Sequence, residues 1–115
     1  NIKQNEFFVG PFVWSLPVEL PLWWSKLDRS KKWIFVTLGS SGNESLLPMI
    51  VGALSELDAE IIVAIAGKKV TLPHYVNVHC ADYLPIEKIC QKVDIMICNG
   101  GSPSAHVALN AGVPI

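Results

Sequence analysis

The segment Asp94–Ser104 constrains the fold of this chain more than any other, because it predicts a buried strand that breaks at two glycines and restarts as a helix. Ser102 is a good helix N-cap residue, and Pro103 suits the first helical position, where its missing N–H is not needed. The start of such a helix presents free N–H groups and a partial positive charge, which together attract phosphate. The segment therefore predicts a site that holds a phosphorylated ligand.

Short apolar runs alternate with helical patterns along residues 33–115. The predicted elements are a strand at 34–38, a helix at 44–57, strands at 61–66 and 76–79, a helix at 86–92, a strand at 95–98, a helix at 104–110 and the start of a fifth strand at 113–115. Pro48 is tolerable only in the first turn of its helix, and Gly112 signals the end of the last helix. Short β-branched runs are typical of strands buried on both faces.

This alternation predicts an α/β fold with a doubly wound, Rossmann-like parallel sheet, incomplete at both ends. In that strand order the first and fourth strands are neighbours, and ligands bind at the carboxyl ends of the strands at that point. The glycine-rich loops 39–43 and 99–102 would then flank one crevice.

Composition and charge limit the classes of partner. Half of the 115 residues are apolar and the mean hydropathy is +0.38, so some apolar surface is expected to lie against another domain or subunit. No apolar run approaches the roughly 20 residues of a transmembrane helix. A net charge of −1, with acids and bases interspersed, argues against nucleic acid or an anionic membrane as partner.

The cysteines and histidines do not indicate a metal or a disulfide. Cys80, Cys90 and Cys98 are odd in number and lack metal-ligand spacing, so we expect reduced thiols in a cytoplasmic protein. His74 and His79 could join Cys80 around a metal, but no fourth ligand follows at a recognisable spacing.

Residues 1–32 differ in character from the rest of the chain. Pro11, Pro17 and Pro21 exclude a continuous helix, while the many aromatic residues argue against a disordered tail. We expect a strap that buries its aromatic side chains against another surface and that could self-associate without it. These side chains are Phe7, Phe8, Phe12, Trp14, Trp23 and Trp24.

Several segments in order resemble nucleotide-sugar-dependent glycosyltransferases. They are Val36–Ser40, Asp82–Pro85, Asn99–Ser102 and Ala108–Pro114. The resemblance is to the C-terminal, donor-binding half of the GT-B fold, in the family of UDP-glucuronosyl and UDP-glucosyl transferases and macrolide glycosyltransferases. The segments Val9–Phe12 and Leu22–Leu27 are similar to the connector between the two domains of that family.

The resemblance implies a domain division and a reaction. Residues 1–32 would be the interdomain connector, and residues 33–115 a truncated donor-binding domain. The reaction would transfer a sugar from a nucleoside diphosphate sugar, UDP above all, to an acceptor hydroxyl with inversion. The acceptor site and the catalytic base would belong to a missing N-terminal domain, so no catalytic residue and no metal is expected in this fragment.

The resemblance also assigns roles to single residues. Gly39 and Ser40 match the loop near the donor's diphosphate and sugar, and Gly100, Gly101 and Ser102 match the diphosphate cradle. Asn99 stands where the family usually has His, and its side-chain amide would bind the same diphosphate by donating a neutral N–H to a phosphate oxygen. Tyr83 would stack on the nucleotide base, which the Leu84 backbone would border; the alternative for Tyr83 is a wall of the core.

Four positions depart from the family's pattern. Besides Asn99, they are Pro103 in place of Gly, Val107 in place of an acidic residue that holds the ribose, and Ile86 in place of Gln. These changes leave open a second hypothesis, a non-catalytic binding or assembly module with a degraded donor site. A dinucleotide-dependent oxidoreductase is poorly supported, because no Gly-x-Gly-x-x-Gly follows the first strand. His106 is interpreted as a surface or interface histidine.

Overall fold

A computed structural model describes residues 5–7 and 9–115 of the chain. The strands are β1 Lys32–Thr37, β2 Ala59–Ala64, β3 Val78–Ala81 and β4 Ile95–Cys98. The α-helices are α1 Leu47–Ser55, α2 Ile86–Cys90 and α3 Ser102–Asn110, and the 3-10 helices are Leu22–Lys26 and Glu44–Leu46.

The four strands form one parallel sheet in the order β3-β2-β1-β4. Ile34 of β1 pairs with Ile61 on one side and with Ile95 on the other, so the first and fourth strands are neighbours, as predicted. The Met96 N–H also donates to the Pro114 carbonyl at 2.9 Å. Residues 113–115 thus lie beside the outer edge of β4, where the predicted fifth strand would pair.

Alternate residues of each strand enter two separate cores, one on each face of the sheet. Val36, Ile61 and Val63 pack with Leu47 and Val51 of α1. The other face carries the larger cluster, to which β1, α2 and α3 all contribute. Its most buried side chains include Phe35, Ile62, Ile89, Met96 and Ala108. Burial on both faces explains why the strands read as continuous apolar runs.

Two strands begin two residues earlier than their apolar patterns predict. Each has a charged residue with a partner at its first or second position: Lys32 Nζ lies 2.7 Å from Asp94 Oδ1, and Glu60 Oε2 lies 2.6 Å from His79 Nε2. A pattern based on hydrophobicity cannot foresee such pairing. β3, in contrast, begins two residues later than predicted, because Asn77 lies in a turn and donates its amide to the Ser55, Leu57 and Ala59 carbonyls.

The helix predicted at 44–57 is divided into a 3-10 turn and α1. Pro48 lies in the first turn of α1, as its missing N–H requires. α3 ends as predicted, since Gly112 has a φ of +71° and its N–H donates to the Leu109 carbonyl. The next N–H, of Val113, donates to the Ala108 carbonyl at 2.9 Å, which completes a Schellman motif.

The strap contacts the sheet through two of its three tryptophans. Trp24 packs edge-on against Trp33 with a centroid distance of 5.1 Å, and Trp23 stacks on His79 at 5.4 Å. Phe7 and Phe12 are 85% and 87% exposed. Among the described aromatic residues of the strap, the predicted burial therefore occurs within this chain for Trp23 and Trp24, whereas Trp14 is 62% exposed. Phe8 lies outside the described residues. Over the described ranges, no helix has the length and apolar character needed to cross a bilayer.

Candidate functional site

The two glycine-rich loops lie side by side at the carboxyl ends of β1 and β4. The Asn99 side-chain amide lies 3.4 Å from Ser41 Oγ, which joins loop 99–102 to loop 39–43. Gly39 and Gly100 take positive φ values of +61° and +74°, a conformation that favours glycine. The topology therefore brings together the two loops that the sequence assigns to one crevice.

The start of α3 differs from the prediction in one respect. Gly101 is the N-cap residue, with extended φ and ψ of −62° and 135°, and Ser102 is already the first residue of the helix. Ser102 is therefore not the cap, and its Oγ instead lies 3.1 Å from His106 Nδ1, one turn further along. The prediction was wrong by one position because glycine can end the loop without a capping side chain. Pro103 still lies in the first turn, where it is tolerated.

Part of the predicted diphosphate cradle is occupied by the chain itself. The Gly101 N–H donates to Asn99 Oδ1 at 3.2 Å, and the Gly100 N–H donates to Cys98 Sγ at 3.4 Å. The first turn of an α-helix gives its N–H groups no intrahelical acceptor, which leaves those of Ser102 and Ser104 for a ligand. Because Ser102 is exposed, this end of the helix is open to solvent.

Tyr83 and Leu84 follow β3 at the same edge of the sheet. The Tyr83 ring is 48% exposed, and its hydroxyl lies against Gly67, where an added Cβ would be only 2.5 Å away. The Leu84 side chain is buried in the larger core, so only its backbone could border a ligand. The half-exposed ring is compatible with both interpretations of Tyr83, a stacking surface and a wall of the fold.

The structure accounts for three of the residues that depart from the family's pattern, Val107, Ile86 and Pro103. Val107 is buried in the larger core and cannot face a ribose. Ile86 packs against the same core, and Pro103 is exposed at the start of α3. Apolar residues at these three positions are thus accounted for by packing and by helix initiation.

The charged side chains lie beside the candidate site and not within it. None of the eight candidate residues carries a formal charge. The nearest ion pair in the described loops joins Lys68 Nζ to Glu44 Oε2 at 3.1 Å. The pKa of Glu44 lies below its ordinary value, first because its carboxylate accepts a backbone hydrogen bond and then because of Lys68.

Sequence reasoning missed two residues near the site. His106 could have been found, because a residue four positions after Ser102 lies on the same face of a helix. Lys68 could not, because it is separated from Gly42 by 26 residues and no motif links the two.

The cysteines and the acidic residues do not assemble a metal centre. The three cysteines are free thiols; Cys80 is exposed and Cys90 is buried. Within residues 5–7 and 9–115, no three His, Cys, Asp or Glu side chains converge in a way that could hold a metal ion.

A groove of about 320 Å³ lies at the opposite, amino end of the sheet. Its lining includes Lys31 and Lys32, whose ammonium groups pair with Asp58 and Asp94 at 2.9 and 2.7 Å. Arg29 and Lys92 also line the groove, so its lining carries four cations and the single carboxylate of Asp94.

Comparison with known proteins agrees with this arrangement. Residues 48–115 match the family described as erythromycin biosynthesis protein CIII-like, C-terminal domain. The chain belongs to this family. Over its full length it is 40% identical to a PGL/p-HBAD biosynthesis glycosyltransferase of Mycobacterium tuberculosis, but it spans only 27% of that relative.

Solved structures show the same fold. The glycosyltransferase SnogD from Streptomyces nogalater matches 90% of the chain with a TM-score of 0.72 and 28% identity, and the match covers 29% of SnogD. The glycosyltransferase VinC, solved in complex with dTDP, matches 85% of the chain with a TM-score of 0.66 and 24% identity, over 25% of VinC. The chain thus has the sheet of the C-terminal part of a GT-B glycosyltransferase.

Proposed function

We propose that this family member is the donor-binding part of a glycosyltransferase that moves a sugar from a nucleoside diphosphate sugar to an acceptor hydroxyl, with inversion. The observation that carries the proposal is the meeting of loops 39–43 and 99–102 at the carboxyl ends of neighbouring strands, beside the open start of α3. The relative VinC was solved with dTDP, and the mycobacterial relative is named a glycosyltransferase. UDP is the nucleotide that the sequence resemblance favours, and dTDP is the alternative.

The chemistry of this part of the enzyme would be stabilisation of the leaving group. As the acceptor hydroxyl attacks the anomeric carbon, the bond from that carbon to the diphosphate oxygen breaks, and negative charge grows on the departing nucleoside diphosphate. The free N–H groups of Ser102 and Ser104, with the positive end of the α3 dipole, are placed to lower the energy of that charge. Deprotonation of the acceptor is assigned to residues outside this chain.

The proposal is tested by titrating UDP and dTDP separately into the full-length protein and measuring heat and melting temperature. Binding raises the melting temperature by mass action. Gly101→Val should weaken binding strongly and abolish turnover, because the new Cβ would lie 3.2 Å from Asn99 Oδ1 and the two methyl groups of Val would stand beside the N–H groups that are to hold the diphosphate. Ala53→Val, on the exposed side of α1, is the matched control. Unchanged binding in the Gly101 variant would place the diphosphate elsewhere.

A second candidate function is a non-catalytic binding or assembly module on the same fold. Two observations favour it: the chain itself accepts hydrogen bonds from the Gly100 and Gly101 N–H groups, and Val107 is buried. A folded full-length protein that shows no response to either nucleotide at millimolar concentration would support this module and contradict the transferase.

A further inference from the structure

Lys68 connects the loop after β2 with the first glycine-rich loop. Its ammonium group donates to the Gly42 carbonyl at 2.9 Å and to Glu44 Oε2 at 3.1 Å. The Lys68 side chain is only 20% exposed. Two of its three N–H donors are thus committed to groups at the end of loop 39–43, and hydrogen bonds from a charged donor are the stronger kind.

A tight turn presents Lys68 to this loop. The Lys68 N–H donates to the Ile65 carbonyl at 3.1 Å, and the two residues between them, Ala66 and Gly67, have φ values of +53° and +70°. This is the pattern of a type I′ turn. Ala66 is a non-glycine residue in the left-handed region, and such a conformation persists only where surrounding contacts impose it. Here the Tyr83 hydroxyl lies directly against Gly67.

Loop 39–43, which Lys68 contacts at Gly42, is itself tightly folded. Gly42 is buried, and an added Cβ would overlap the Leu38 carbonyl oxygen, so the loop folds back on the end of β1. Lys68 therefore fixes the end of the loop from the β2 side. Asn99 meets the same loop at Ser41 from the β4 side.

We infer that Lys68 is a positioning residue, which holds loop 39–43 at the separation from the start of α3 that a donor diphosphate requires. The inference rests on the proposed function. Lys68 acts through Gly42 and Glu44 rather than by touching the donor. Displacing a loop by about 1 Å can cost roughly a hundredfold in rate, so the effect of its loss can be large although the residue lies outside the site.

The test compares four variants of the full-length protein in UDP and dTDP binding by calorimetry. Lys68→Met should raise the nucleotide Kd by about tenfold or more, the size expected from losing charged hydrogen bonds. Lys68→Arg, which keeps the charge and the donors, should recover most of the affinity. Lys69→Met removes the same charge from the adjacent exposed residue and should leave the Kd within about twofold of wild type. Glu44→Gln should have an intermediate effect, because the bond to Gly42 remains.

Amide hydrogen exchange of residues 39–45 separates positioning from failed folding. Lys68→Met should exchange faster in this segment while β1 and β2 stay protected as in wild type. A Lys68→Met protein with a wild-type Kd and unchanged exchange of this segment would overturn the inference. If wild type binds neither nucleotide, the proposed function and the role in donor binding both fail, and the exchange data then decide only whether Lys68 fixes the loop.

Discussion

Replacement of Glu60 by Ala should release the strap from the sheet. Glu60 is a buried residue, with only 8% of its surface exposed. Its carboxylate Oε1 accepts a hydrogen bond from the Asp28 N–H at 3.0 Å, and Oε2 lies 2.6 Å from His79 Nε2. His79 in turn stacks on Trp23 of the strap. One carboxylate thus fastens both the end of the strap and the histidine on which the strap packs.

The size of the effect follows from these contacts. Hydrogen bonds to a charged group contribute about 1.5–3 kcal/mol each to stability. Removing the Glu60 carboxylate deprives both the Asp28 N–H and His79 Nε2 of this partner. The His79 side chain is partly exposed, and the Trp33 indole still donates to the Asp28 carbonyl at 2.8 Å, which together reduce the loss. We therefore expect local opening of residues 22–31 to become easier by about 2–3 kcal/mol, which is roughly a 30- to 150-fold increase in exchange rate.

Amide hydrogen exchange with mass spectrometry measures this opening directly in the full-length protein. Glu60→Gln keeps one oxygen acceptor and should show a smaller increase than Glu60→Ala. Glu56→Ala removes an exposed carboxylate after α1 and serves as the control. Exchange of residues 22–31 within about twofold of wild type in Glu60→Ala would refute the idea that this carboxylate fastens the strap.

Two further predictions concern single residues. Gly42→Ala should lower the free energy of unfolding by about 2–3 kcal/mol, because the new Cβ would meet backbone atoms of Leu38 that cannot move independently. Gly52→Ala in α1 should be neutral or stabilising. Its Cβ would lie 3.4 Å from the Tyr75 hydroxyl, and Ala is favoured over Gly in a helix by about 1 kcal/mol. Equal melting temperatures for the two variants would contradict this. In the native protein a thiol reagent should label exposed Cys80 well before buried Cys90, whose pKa is raised to about 11, mainly by burial. Labelling of Cys80 should accelerate as pH rises, because the thiolate is the reacting form. The rise should extend to higher pH than for an ordinary cysteine, since partial desolvation and then the nearby Asp82 raise the pKa of the Cys80 thiol. Labelling of both cysteines at one rate, read by mass spectrometry, would show that Cys90 is accessible.

The fold could be predicted from the sequence because its signals are local. β4 has the predicted bounds, and Pro48 and Gly112 lie at the helix positions that their backbone chemistry requires. Neighbouring β1 and β4 followed from the alternation of strands and helices, since right-handed crossovers permit few arrangements.

The meeting of loops 39–43 and 99–102 could be predicted from the sequence, but the hydrogen bonds within them could not. The sequence placed Gly101 and Asn99 in one loop, but it did not indicate that the side-chain oxygen of Asn99, Oδ1, accepts from the Gly101 N–H. It also assigned the cap of α3 to Ser102, one residue too late. Hydrogen bonds between residues close in sequence depend on the backbone φ and ψ angles. The residue types allow several values of these angles and do not determine which one is adopted.

The sequence by itself determined the order and type of the elements and the family to which they belong, because periodicity, glycine and proline act within a few residues of themselves. Only the tertiary structure decided which distant polar groups meet. Glu60 with His79 and Lys68 with Gly42 are separated by 19 and 26 residues and share no motif. Their contacts arise because parallel pairing brings the ends of neighbouring strands to the same edge of the sheet, where polar groups must find partners or remain in water.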